Sequence, residues 1–169
     1  TLTQDTNGLS GQCLKMTSSD PEHFGGCQRI RLESAADKLE RFILSGFAKA
    51  NVAELVEGQK FELRAELFYE GSDENIPDES YAVSFDAGVE DWQLKSVSFE
   101  KAAYRPISSI RVVLDFRGHE EAVYFDNIQL VVTDSESVGV EYFETAFEEA
   151  ETGEGGENEP KSRTDKYGN

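Results

Sequence analysis

Apolar and polar side chains alternate with a period of two through most of this chain. Phe61, Leu63, Ala65 and Leu67 fall on one side of an extended segment, with Glu62, Arg64 and Glu66 on the other. Ile110, Val112, Leu114 and Phe116 repeat the arrangement, opposed by Arg111, Val113, Asp115 and Arg117. Successive side chains of a β-strand point to opposite faces, so this periodicity predicts strands that bury one face and solvate the other. The same reading places strands at 12–17, 27–32, 41–50, 61–69, 81–86, 92–100, 110–117 and 123–132. Short polar connectors at 56–59, 71–80, 88–91 and 118–121 separate several of them, and helical spacing is weak before residue 132. The prediction is an all-β fold: a two-sheet antiparallel β-sandwich of jelly-roll type.

The alternation stops after Val132. Between residues 134 and 159 there are ten acidic side chains and no Lys or Arg, and the Gly-rich run 153–157 has little apolar surface with which to order itself. The expected organisation is a sandwich domain over 1–133 and an acidic, largely irregular linker over 134–169. Tyr142, Phe143 and Phe147 interrupt the polar tail and are expected to dock locally or to begin a further module. The chain opens on Thr1-Leu2-Thr3 without an initiator Met or a signal segment, which reads as a piece of a longer polypeptide.

Charge narrows the partners. The 34 acidic and 16 basic side chains leave a formal charge of −18, which repels phosphate backbones and anionic membrane surfaces. No apolar run approaches the roughly 20 residues that span a bilayer. A monomeric module taking a neutral ligand, such as a glycan, or a cation such as Ca²⁺ fits this surface better than nucleic acid or membrane insertion.

Cys13 and Cys27 fall in the predicted strands 12–17 and 27–32, with Ser18-Ser19-Asp20-Pro21 and Gly25-Gly26 supplying turn chemistry between them. Paired as a hairpin, these strands would bring the two cysteines within disulfide reach, at about 3 kcal/mol in the chain-entropy model. The alternative is two small core residues. His23 and His119 sit in predicted turns, and no nucleophile elbow, zinc spacing or phosphate-cradling loop accompanies them, so no enzyme is expected.

Sugar recognition needs aromatic faces for C–H stacking, with polar neighbours to meet the hydroxyls. By alternation Phe68 lies on the polar face of its strand beside Arg64, and Phe47 is expected to share that face. Arg111, with Asp115, would line the same concave sheet or form a solvated charge ladder. Trp92, Tyr81 and Tyr104 lie near loops and complete the candidate platform. Asp126 interrupts the apolar run 122–131, where a desolvated carboxylate needs hydrogen bonds or a cation.

Three stretches carry a resemblance that covers about residues 8–132. Ile43-Leu44-Ser45-Gly46-Phe47-Ala48-Lys49-Ala50 looks like the strand "YTLSGWVKA" of jelly-roll carbohydrate-binding modules. Asp91-Trp92-Gln93 followed by Val97-Ser98-Phe99 is similar to their "DWQ…tF" strand, and Phe125-Asp126-Asn127-Ile128-Gln129-Leu130 to their closing "FDDIxL" strand. The resemblance implies a structural Ca²⁺ ligated at Asp126, a structural role for Trp92 at one end of the sandwich, and a non-catalytic glycan-binding function. At the C-terminus, Thr164-Asp165-Lys166-Tyr167-Gly168-Asn169 resembles the opening of a YD (Rhs-type) repeat, which implies a large bacterial extracellular or cell-surface protein. In that setting the alternative function is a structural or adhesive spacer module without a glycan site.

Overall fold

A computed structural model of the chain describes residues 2–9, 11–18, 25–32, 40–52, 55, 57–102, 105–134, 141–144 and 148–149. Tyr104, His23 and the YD-like segment 164–169 lie outside these residues. Eleven strands follow in order: β1 (Leu2–Asp5), β2 (Cys13–Ser18), β3 (Gly26–Arg31), β4 (Glu40–Ala50), β5 (Lys60–Tyr69), β6 (Glu79–Ser84), β7 (Gln93–Glu100), β8 (Ile107–Arg117), β9 (His119–Asp134), β10 (Glu141–Glu144) and β11 (Glu148–Glu149). All pair antiparallel in two sheets, as the alternation predicts. One sheet runs β1-β2-β9-β4-β7, with β10 also on β9, and the other runs β11-β3-β8-β5-β6.

The core lies between the sheets. From the five-stranded sheet come Phe61, Leu63, Ala65 and Leu67 of β5 with Ile110, Val112, Leu114 and Phe116 of β8, the two sets that the alternation assigns inward. Phe42, Leu44, Ala48, Val123, Phe125 and Leu130 meet them from the six-stranded sheet. Phe61 binds the layers through edge-on contacts with Phe116 at 5.9 Å and Phe125 at 5.5 Å between ring centroids. Such pairs add to the area they bury.

Two expectations need correction here. No disulfide joins Cys13 and Cys27. The chain changes sheets between β2 and β3, so Cys13 lies opposite Asp5 in one sheet while Cys27 lies opposite Val113 in the other. Turn residues bend the chain equally well into a hairpin or across a sandwich, which is why their presence misleads. Cys13 is instead buried on the outer side of its sheet near Asp126, and burial, then Asp5 and Asp126, push its thiol up. The second correction concerns β5, whose residues from Phe61 to Tyr69 are buried on both faces although 62, 64 and 66 are charged. What covers them is described below.

The closing strand β9 carries a bulge. Phe47 of β4 pairs with Asp126 and Ser45 with Gln129, so β9 spends one extra residue between these pairs. Asn127 takes it up with φ 48°, a left-handed conformation that Asn tolerates better than most residues. Opposite the bulge, Gly46 leaves room for Ile128: a Cβ at 46 would stand 2.3 Å from Ile128 Cδ1. The Ser-Gly-Phe and Phe-Asp-Asn-Ile stretches are thus two halves of one packing arrangement.

Candidate functional site

The six candidate platform residues do not converge. Arg64, Phe68 and Arg111 share the outer face of the five-stranded sheet. Phe47 and Trp92 belong to the outer face of the opposite sheet, and Tyr81 faces the core.

The outer face of the five-stranded sheet is a closed ionic lattice. Arg64 donates to Glu62 at 2.6 Å, to Glu66 at 2.9 Å and to Asp115. Arg117 grips Asp115 with two hydrogen bonds of 2.5 and 2.6 Å, and Arg111 donates to Glu66 at 2.6 Å. Burial pushes the Asp115 carboxyl up, but the hydrogen bonds from Arg117 and Arg64 outweigh it, and the carboxyl stays below its ordinary range. Burial pulls Arg64 down, and its bonds to Asp115 more than restore it, so it rises above the ordinary guanidinium value. Phe68 is on this face, as its position in the strand implies, yet it is only 1% exposed. The Arg29 guanidinium lies 4.4 Å from its ring centroid and that of Arg111 lies 5.1 Å away. Phe68 is therefore no stacking platform, because its burial leaves no ring surface for a ligand. Arg29, in turn, donates to the Glu74 carbonyl at 2.6 Å.

Tyr81 is set inward as well. It lies opposite Ala65, stacks on Phe99 with centroids 4.5 Å apart, and donates to Glu79 at 2.6 Å. Burial, then the Glu79 carboxylate, push its phenol up to about 12, so it stays protonated at neutral pH. Glu79 also accepts from the Tyr69 hydroxyl and the Ala102 N–H. The group closes the β6–β7 end of the sandwich.

The outer face of the six-stranded sheet is different in kind. Across it runs one row of side chains, each opposite the next: Thr3 of β1, Lys15 of β2, Tyr124 of β9 and Lys49 of β4. Trp92, immediately before β7, continues it beside Lys49. The row alternates cation and ring. Lys49 Nζ lies 4.6 Å from the Trp92 centroid and 5.3 Å from that of Tyr124, and Lys15 Nζ lies 5.9 Å from Tyr124 on its other side. Phe47 and Leu94, opposite one another, form the next row, and Leu94 is 59% exposed. Phe47, Trp92 and Tyr124 are each half-buried. Tyr124, Lys15 and Lys49 were not singled out by sequence. Tyr124 follows the alternation that puts Val123 and Phe125 inward, so its outward aim was readable; its neighbours across the sheet were not.

Asp126 follows Phe47 in that second row. Its Oδ2 accepts from the Leu9 N–H and its Oδ1 from the Asn127 N–H, both at 2.7 Å, so it caps the turn held by the Gly8 N–H on the Gly11 carbonyl. Calcium requires a shell of oxygen ligands, whereas the groups aimed at Asp126 are N–H donors. Among the described residues no group of three or more His, Cys, Asp or Glu side chains occurs that could hold a metal ion. Asp126 is thus satisfied as a hydrogen-bonded carboxylate, one of the two readings open for this position. Beside it, Gln4, Gln12 and Asn127 place side-chain amides around a shallow hollow.

No family model and no curated protein matches the sequence. Among solved structures the chain is similar to a "Family 16 Carbohydrate Binding Module-2", with 16% identity and a TM-score of 0.52 over 77% of this chain and 84% of that one. The likeness is one of fold, a two-sheet antiparallel β-sandwich. A tailspike protein 4 enzymatically active domain of Bacteriophage CBA120 is similar over 77% of this chain, with 10% identity and a TM-score of 0.52. The chain spans only 17% of that second protein. At such identities the likeness establishes a shared sandwich and says nothing of ligands. Within this sandwich the two outer faces are thus chemically opposite: one is sealed by mutual ion pairs, and the other carries partly exposed aromatic residues.

Proposed function

We propose that this domain binds glycan non-covalently on the outer face of its six-stranded sheet, with no bond made or broken. The observation that carries the reading is the grouping of Phe47, Trp92 and Tyr124, half-exposed, on one rigid sheet face. Rings fixed on strands present flat apolar surface at little entropic cost on binding. Gln4, Gln12 and Asn127 line a hollow beside Asp126 and carry amides suited to sugar hydroxyls.

Affinity electrophoresis through gels containing a panel of plant, bacterial and algal polysaccharides tests this. At least one polysaccharide is expected to retard the wild type, and Trp92→Ala or Tyr124→Ala is expected to weaken that retardation about tenfold, roughly 1.4 kcal/mol. Ser80→Ala, on the other sheet, serves as the control. Binding that survives loss of both rings would overturn the placement. No retardation by any glycan would leave the second reading, a structural or adhesive spacer, which the sealed ionic face of the five-stranded sheet supports.

A further inference from the structure

We infer that the ligand carries carboxylates, as in a uronic-acid-containing glycan, and that Lys15 and Lys49, flanking Tyr124, receive them. The inference rests on the six-stranded face being the glycan site and names the chemistry that face would select. Acidic side chains outnumber basic ones 34 to 16, so a cation in this protein has no shortage of partners. On the strands several cations indeed find them: Arg41 pairs with Glu100, Lys60 with Glu62, Arg111 with Glu66 and Arg117 with Asp115. Lys15, Lys49, Arg29 and Lys95 have no such pair among the described residues; Arg29 donates to the Glu74 carbonyl instead, and Lys95 stands exposed. Lys15 and Lys49 are both half-buried, and what each faces is an aromatic ring.

The carboxylates of Asp126 and Asp5, in the adjoining row, are engaged by other donors. Asp126 uses its oxygens on the Leu9 and Asn127 N–H groups. Asp5 accepts from the Asn7 backbone N–H at 2.9 Å and from the Asn7 side-chain amide at 2.6 Å. Two ammonium groups thus remain on either side of one ring. They are held by cation–π contact, with N–H donors to spare for an anion. Each ammonium would gain a charge-assisted hydrogen bond to a carboxylate of the glycan while a sugar ring lies on the neighbouring aromatics. The −18 charge of the whole chain acts against a polyanion at long range. At physiological ionic strength that field is screened within about 8 Å, so the local pair decides.

The test runs polygalacturonate, alginate and a glucuronoxylan in affinity gels, each beside its carboxyl-reduced neutral counterpart. For at least one polymer the acidic form is expected to bind about tenfold tighter than the reduced form. That ratio is expected to fall towards one in Lys15→Gln/Lys49→Gln and to stay unchanged in Lys95→Gln. Equal binding of acidic and reduced forms, or a preference that survives the double substitution, overturns the carboxylate inference while leaving glycan binding intact. Retardation by none of these polymers, with neutral glycans retarding the protein, overturns it likewise. Absence of binding to every glycan overturns both readings together.

Discussion

Asp115 shows how a single residue can hold a face of this protein together. It is fully buried, yet it anchors Arg64 and Arg117, and through Arg64 the carboxylates Glu62 and Glu66. Removing one partner of a buried pair leaves uncompensated charge, so Asp115→Asn is expected to cost about 3–5 kcal/mol in urea unfolding at pH 7. The folded carboxyl lies below its ordinary range, so its stabilising effect is complete above the unfolded value near pH 4 and disappears as pH falls through the lower folded value. The gap between wild type and Asp115→Asn should accordingly shrink on acidification. A gap that stays constant down to pH 2 contradicts this role. At Asp126 the corresponding expectation is a melting temperature indifferent to calcium or chelator, with Asp126→Ala lowering it through the loss of two backbone hydrogen bonds, about 1–3 kcal/mol. A rise in melting temperature with calcium, absent from Asp126→Ala, would restore the metal.

Among the elements, the β4–β9 pair is the one whose sequence and geometry agree most closely. Its bulge at Asn127 and the missing side chain at Gly46 fit each other, so Gly46→Val should force Ile128 aside, and overpacking of that kind costs about 1–3 kcal/mol. Thermal melts of Gly46→Val alone and with Ile128→Ala would show it: the smaller partner should recover part of the loss, and no recovery would place the strain elsewhere. Strand faces were legible in the sequence because alternation is local, and the inward sets of β5 and β8 are those the pattern assigns. Sheet membership was not legible, because it depends on pairings between distant segments. Cys13 and Cys27 therefore suggested a hairpin where the chain crosses between layers, and Phe47 suggested a face shared with Phe68 when the two rings lie on opposite sides of the molecule. The short strand β1 carries too few apolar residues to announce itself; it forms by pairing with β2.

At the scale of the whole molecule, the two outer faces divide the labour between rigidity and recognition. The ring-and-lysine row is half legible: Trp92 and Phe47 stood out by residue type, whereas Tyr124, Lys15 and Lys49 acquire meaning only once β2, β9 and β4 lie side by side. The lattice across β5 and β8 has a further consequence. Strand β5 is flanked by β8 and β6, with the core beneath it and interlocked side chains above. Its central amides should be the slowest in the protein to take up deuterium, exchanging only when the entire domain opens, whereas β1 at a sheet edge should label within the first moments. Mass-spectrometric labelling of the two peptides would expose the difference, and equal rates would mean that solvent reaches the middle of the sheet without global unfolding.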